Sequence, residues 1–481
     1  MENNWRDQPT DDWRAFGVSI LGTFMSTLDA GIVNTALPTI GAGFGAGVSG
    51  VQWVVAGYFL VISCLLPLFG RMGDMYGRKR MVQFGFFIFA AASAGCGAAP
   101  TLWALVGARL VQGLGAAMLM ANGPGIIMTA FPGPTRGRAL GLVGLTVGLG
   151  SLAGPGLGGV VIQAMGWRSV FYLTVPVALL GLALAQRFLP RQERRQDETL
   201  DLAGAALFAI GMVGLLLAVT RGHEWGWTSA AVLCGLCVAL GAFSGFALWE
   251  RRCPHPMIDL SLFRVWPFLS GNVAAFLAFM AMFCNAILLP FYLHDMLGLE
   301  PGVMGLVLSS LPLAMAVSAP ASGYLSERVN FATLTSCGLF IMCCGLAQLA
   351  LLSPQSALWR VYLGQMTVGF GAGVFMSPNN NSVLSSAPQE KVGLVGGVLA
   401  LVRNVGMVSG IALAITVFEG CQAREFSLGA PAQEAFMAGF RAALFTGAAL
   451  ACAAGGLSLL RRRLFAQNPK RSDCTALPED L

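Results

Sequence analysis

The chain has 481 residues, of which 56% are hydrophobic and only 11% charged, with a formal net charge of +6. Water-soluble domains carry about a quarter of their residues as charges. A chain this poor in charge cannot coat itself for water, so lipid is its solvent and a soluble globular fold is excluded. The basic excess then reads as membrane orientation and not as a nucleic-acid surface, because basic loops are retained on the cytoplasmic side.

The opening segment, 1–14, mixes acids and bases and has no cleavable apolar core, so it is expected to be a cytoplasmic tail. A helix needs about 20 residues to cross a hydrocarbon core of about 30 Å. Apolar runs of that order follow one another along the chain, and unpaired backbone is not tolerated in lipid, so each is expected to be a helix.

The first run, 15–37, holds L-D-A-G-I-V-N-T-A-L-P at 28–38. Asp29 is the only acidic residue well within any expected span, and Asn34 follows it. The second run, 49–69, contains Tyr58 and leads into G-R-M-G-D-M-Y-G-R-K-R at 70–80. Gly70, Gly73 and Gly77 are expected to permit a tight turn there. Asp74 sits among four cations, including Arg78, and is expected to hold neighbouring helix ends in one closed arrangement.

After a third run at 82–99, the fourth, 102–123, places Arg109, Gln112, Gly113 and Ala116 on one helical face. A mid-span Arg costs about 2.5–3.5 kcal/mol on insertion scales, so this face should meet protein or water. Asp29 and Arg109 each lie about 5 Å outward of the middle of their spans at 1.5 Å per residue. They are expected to face each other across a polar cavity and share a proton-sensitive link; a permanent structural ion pair is the competing reading. The fifth run, 139–163, repeats Gly150, Gly154 and Gly158 beside Pro155. That spacing bares one face for another helix, and the proline removes a backbone donor, giving either a hinge or ordinary small-residue packing.

The sixth run is 167–188, and the segment 189–265 carries two further runs at 203–220 and 229–249. Cys234 and Cys237 lie inside the second of these and read, like most of the 12 cysteines, as small hydrophobes. The second half holds runs at 268–290, 303–325, 332–352, 358–383, 394–418 and 437–459, followed by a tail at 461–481. Its polar groups are amides and one cation: Asn272, Asn285, Gln365, Asn379, Asn380, Asn381, Arg403 and Asn404. Arg403 either receives an anionic or polar group or bonds backbone carbonyls. Tyr58, Phe291 and Tyr292 are aromatic candidates for a cavity lining, against the general expectation that an aromatic serves packing.

Two features repeat at a separation of 253 residues: Gly70-x-x-x-Asp74 matches Gly323-x-x-x-Glu327, and Gln112 matches Gln365. Glu327 is therefore the second-half counterpart of Asp74, and Arg328 beside it is expected to share in the lock. The repeat suggests two six-helix units, 15–188 and 266–460, separated by a linker with two inserted helices at 189–265. With the N-terminus inside, Arg168, Arg221, Arg360, Arg424 and Arg441 lie outward, and Arg109 and Arg403 lie within spans. The other 22 of the 29 basic residues fall on the cytoplasmic side, which predicts cytoplasmic termini and an even number of spans.

No G-x-x-x-x-G-K-[ST] loop exists among the three lysines, Lys79, Lys391 and Lys470, so the chain itself is not an ATPase. His223, His255 and His294 show no metal spacing, so neither a metal site nor an enzyme is expected. A non-transporting sensor would carry a sizeable soluble domain, and none is legible. What remains is a secondary transporter of a small solute.

These motifs, taken together and in order, resemble the major facilitator superfamily and, more narrowly, its fourteen-span drug:proton antiporter family. The resemblance covers nearly the whole chain, with weaker echoes at Gln52-Trp53, Trp167-Arg168, Trp225-Gly226-Trp227 and P-M-I-D-L-S-L-F-R at 256–264. It implies an all-α membrane fold of about 14 helices, alternating access around a central cavity, and efflux of a drug-like or metabolite solute driven by protons. By position it implies proton coupling by Asp29 and Arg109, locking by Asp74 and Arg78, and an antiport motif at Gly154 and Pro155. It also implies a monomer in a plasma membrane, such as a bacterial inner membrane, with lipid and solute as partners and no cofactor beyond the coupling proton. Import or uniport uses the same scaffold. Gly31 stands where the family more often has Thr, and the second half lacks a mid-span carboxylate, which puts a preference for dications in doubt.

Overall fold

A computed structural model describes residues 13–131, 136–190, 201–252, 260–326, 328–386 and 392–466. Fourteen long helices follow in chain order: α1 (Trp13–Phe44), α2 (Val48–Tyr76), α3 (Arg78–Ala98), α4 (Leu102–Ala130), α5 (Arg136–Met165), α6 (Arg168–Phe188), α7 (Leu202–Trp225), α8 (Ala230–Glu250), α9 (Trp266–Phe291), α10 (Pro301–Leu325), α11 (Phe331–Ala350), α12 (Leu358–Leu384), α13 (Val392–Ser427) and α14 (Ala432–Ala466). Several outrun the apolar stretches expected for them, because a helix that clears the hydrocarbon still satisfies its backbone bonds internally. Thirteen helices are long and apolar enough to cross a membrane. The exception, α12, has the length but carries Arg360, Gln365 and Asn379 to Asn381 along it.

Local chemistry explains many of the ends. The side chains of Thr101, Ser229 and Asn330 accept from the backbone N–H of Ala104, Val232 and Ala332, capping α4, α8 and α11. Pro267 and Pro301 occupy the first turns of α9 and α10, where the missing donor is harmless. Of the three glycines expected to make the turn at 70–80, only Gly77 does so, with φ 95°. Gly70 and Gly73 lie inside α2, and Gly73 leaves room for the side chain of Asn122 on α4.

The chain divides into two compact units. The first contains α1 to α6; the second contains α9 to α14 together with α8 and most of α7. In the first unit α1 packs on α5, α4 and α6, α2 on α4, and α3 on α4 and α6. In the second unit α9 packs on α13, α12 and α14, α10 on α12, and α11 on α12 and α14. These six pairings correspond helix for helix, while α2 also packs on α1 and α3 in the first unit, so the weak sequence repeat is in large part a repeat of packing.

Candidate functional site

Five helices of the first unit meet at Asp29. Arg109 on α4 donates from NH1 to Asp29 Oδ2 at 2.6 Å and to Gln112 Oε1 at 2.6 Å. Its Nε donates to the carbonyl of Val54 on α2 at 2.9 Å. Gln112 in turn donates from Nε2 to Asp29 Oδ1 at 3.0 Å and to Ser93 Oγ on α3 at 2.8 Å. The guanidinium carbon lies 4.2 Å from the ring centre of Tyr58 and 5.9 Å from that of Phe171 on α6. Both charged side chains are 1% exposed.

The expectation of two groups facing each other across a polar cavity is therefore corrected: they touch. In apolar surroundings each charge kept apart would carry its whole desolvation penalty, so the pair closes and neighbouring donors fill the remaining lone pairs. One nitrogen of the guanidinium, NH2, has no partner among the described residues. Adding a proton to Asp29 would remove the counter-charge of Arg109 and turn a carboxylate acceptor into a donor.

The same stretch of α1 forms the seam with α5. A Cβ at Gly154 would lie 2.8 Å from the Leu28 carbonyl oxygen and 2.9 Å from Gly31 Cα; one at Gly158 would lie 3.0 Å from Ile32 Cα. Gly150 fits against Thr27, and a Cβ at Gly31 would meet Pro155 Cδ at 3.0 Å. The glycine at 31, a departure from the family pattern, is what lets the two backbones touch two residues from Asp29. The helix α5 continues through Pro155.

The lock residues gather at the other end of this unit. Arg78 donates to Asp74 Oδ1 from Nε at 3.1 Å and NH2 at 2.8 Å, and from NH1 to the carbonyl of Gly125 on α4 at 2.5 Å. Lys79 donates to the carbonyls of Gln186, at 2.8 Å, and Leu189 at the end of α6. Three helix ends are thereby tied by two cations. In the second unit Glu327 lies outside the described residues, and among those described Arg328 bonds within its own turn, to the Tyr324 hydroxyl at 2.6 Å.

The second-half candidates separate into packing groups and open groups. Asn285 on α9 donates to Gln365 Oε1 on α12 at 2.7 Å, repeating the α1–α4 link without charge. Tyr292, expected to line a cavity, is closed in: its ring stacks 5.0 Å from that of Phe440 and its hydroxyl donates to the Ser353 carbonyl at 2.8 Å. Asn272 donates to Phe268 in its own helix at 2.8 Å. Arg403 on α13 donates from NH2 to Asn380 Oδ1 at 2.7 Å, and Asn404 is buried beside it. Asn34 is half-buried on α1. Ser93 and Phe171 were not singled out from the sequence; a serine within an apolar run is the one signal that pointed to the first, and nothing pointed to the second.

The Major Facilitator Superfamily sequence model matches residues 19–411. The chain is 36% identical to "Riboflavin transporter RibZ" of Clostridioides difficile (strain 630), over 84% of this chain and 88% of that protein. It is 32% identical to "Multidrug resistance protein Stp" of Mycobacterium tuberculosis (strain CDC 1551 / Oshkosh), over 82% and 73%. It is 31% identical to "Methylenomycin A resistance protein" of Streptomyces coelicolor, over 95% and 93%. Among solved structures, a bacterial homologue of the human lysosomal transporter Spinster superposes with a TM-score of 0.70 at 15% identity, covering 95% of this chain and 99% of that one, a likeness of fold.

Proposed function

The chain belongs to the Major Facilitator Superfamily and is a multi-pass membrane transporter of a small solute, and we propose that it is a proton-coupled exporter of the fourteen-span drug:proton antiporter kind. The observation that carries this reading is the buried cluster of Asp29, Arg109 and Gln112, a carboxylate and its counter-ion enclosed within a membrane unit. Such residues mark ion and proton pathways because they are too costly to bury otherwise. Proton uptake by Asp29 would release Arg109, and the seam at Gly31 and Gly154 would pass that change from α1 to α5. Export is supported by the resistance and export names of relatives. The coupling proton is the only ion this scheme needs, a single chain suffices, and the reading has both termini on the cytoplasmic side of a bacterial inner membrane.

A second reading, movement of a polar metabolite on the same scaffold, is favoured by the similarity to a riboflavin transporter and by the amide-rich second unit. Purified protein in liposomes under an imposed pH gradient separates the two, with riboflavin and a panel of lipophilic drugs as solutes and a trapped pH dye as readout. Proton release on adding a solute is expected, and it should vanish in Asp29→Asn while binding of the solute persists. Full proton-driven transport by Asp29→Asn would remove the coupling role.

A further inference from the structure

The second membrane cation, Arg403, is held very differently from the first. Among the described residues its partners are Asn380 and the ring of Phe279, 5.6 Å from the guanidinium carbon. Its Nε has no hydrogen-bond partner. No Asp or Glu occurs on α9, α10, α11 or α12, and the first carboxylate of α13, Glu419, is about 24 Å further along the helix at 1.5 Å per residue. An Arg in a membrane unit without a counter-charge is destabilising and is retained for a role.

Amides surround it. Asn379 donates to the Gly271 carbonyl at 3.2 Å, which sets this end of α12 beside Asn272 on α9. Asn272, 3% exposed, has an Oδ1 with no partner, and Asn404, 4% exposed, has an Nδ2 with none. Arg403 and Asn380 are half-buried as residues while the unpaired Nε and Nδ2 are themselves enclosed, so a ligand would reach them past the exposed part of Arg403. Two donors without a hydrogen-bond partner, on Arg403 and on Asn404, with no acid on the described helices α9 to α12, suit an oxyanion.

We infer that Arg403, with Asn404 and Asn380, binds an oxyanion such as a carboxylate or phosphate carried by the solute, so that this transporter takes anionic and not cationic substrates. The inference rests on the reading of the chain as a solute exporter. The anion supplies the charge that the second unit lacks, its oxygens accept from Arg403 Nε and Asn404 Nδ2, and the Phe279 ring lies beside the guanidinium. The first unit needs no such ligand because Asp29 already balances Arg109.

The test uses the full chain in phosphatidylcholine nanodiscs without a pH gradient. Fluorescence polarisation follows two xanthene dyes of opposite charge, fluorescein and pyronin Y. Fluorescein is expected to bind more tightly, and Arg403→Gln should weaken it about tenfold or more, the size of a lost charge-assisted hydrogen bond, leaving pyronin Y unchanged. Asn404→Asp, which supplies a counter-charge internally, should weaken fluorescein as well and serves if Arg403→Gln does not fold. Equal fluorescein affinity in the variants, preference for pyronin Y, or no fluorescein binding overturns the inference. So does retention of phosphatidylglycerol, seen by native mass spectrometry, that is lost in Arg403→Gln while fluorescein fails to bind, since the anion is then a lipid headgroup. Intact fluorescein binding here with no solute-driven proton release in the liposome assay counts against the exporter reading alone.

Discussion

Gln112 of α4 bonds Asp29 of α1, and Gln365 of α12 bonds Asn285 of α9, so one inter-helix link occurs in both units at matching places. Only the first is charged: 253 residues after Arg109 the chain has Tyr362, 253 after Asp29 it has Met282, and the amide that bonds Gln365 lies three residues further along α9. The second unit instead carries its cation, Arg403, on α13, the helix that packs on α9 as α5 packs on α1. A common frame thus presents a closed, self-neutralised cluster on one side of the repeat and an open cation on the other. Geometry alone is inherited by both units; which atoms titrate or remain available is decided by single residues.

The sharpest way to break that contrast is to delete each cation. Arg109→Leu leaves Asp29 buried without its counter-ion and is expected to cost about 3–5 kcal/mol, because the surviving charge keeps its desolvation penalty. Arg403→Leu removes a charge that has no acidic partner, so the desolvation penalty relieved offsets the donor lost by the Asn380 carbonyl oxygen, and the net cost should stay below about 1 kcal/mol. Thermal unfolding of the detergent-solubilised variants, followed by size-exclusion profiles, checks both. Equal losses would mean that Arg403 is balanced by a group in the folded protein, and the contrast would fail.

A second pair of variants tests what the units share. A Cβ at Gly154 presses on the Leu28 carbonyl and Gly31, and one at Gly410 on α13 presses on the Met280 carbonyl of α9. Gly154→Val and Gly410→Val are each expected to lose about 1–3 kcal/mol from overpacking against backbone. Gly17→Val, with no heavy atom within 4 Å of its built Cβ, serves as the neutral control. Unequal losses by the same melting assay would show that the α1–α5 and α9–α13 seams are not equivalent.

Much of this was legible before any coordinates. Helix count followed from apolar runs, since lipid leaves the backbone one solution. The nearness of Asp29 and Arg109 followed from equal depth, because two opposite charges at one level in an apolar unit have strong reason to meet. Contact instead of a cavity was not legible, since the sequence gives depth without rotation about the helix axis. The fate of Tyr292 was hidden for the same reason: its stack on Phe440 joins α14 to the end of α9 across a long separation. Gly70 and Gly73 looked like turn residues by composition, yet helix propensity yields inside a packed membrane unit and they serve as contact points on α2.

The smallest contrast lies at the lock. Arg78 joins its own loop, through Asp74, to the Gly125 carbonyl on α4, so Arg78→Gln should loosen two helix ends and cost about 1 kcal/mol or more. Arg328 bonds the Tyr324 hydroxyl one turn away on an exposed surface, and Arg328→Gln is expected to stay within about 0.5 kcal/mol. Hydrogen–deuterium exchange should report the same asymmetry, with faster exchange near Gly125 in Arg78→Gln and no change on α12 in Arg328→Gln. Were α12 to loosen instead, Arg328 would be tying helix ends as Arg78 does, and the repeat would extend from the packing of the helices to the lock itself.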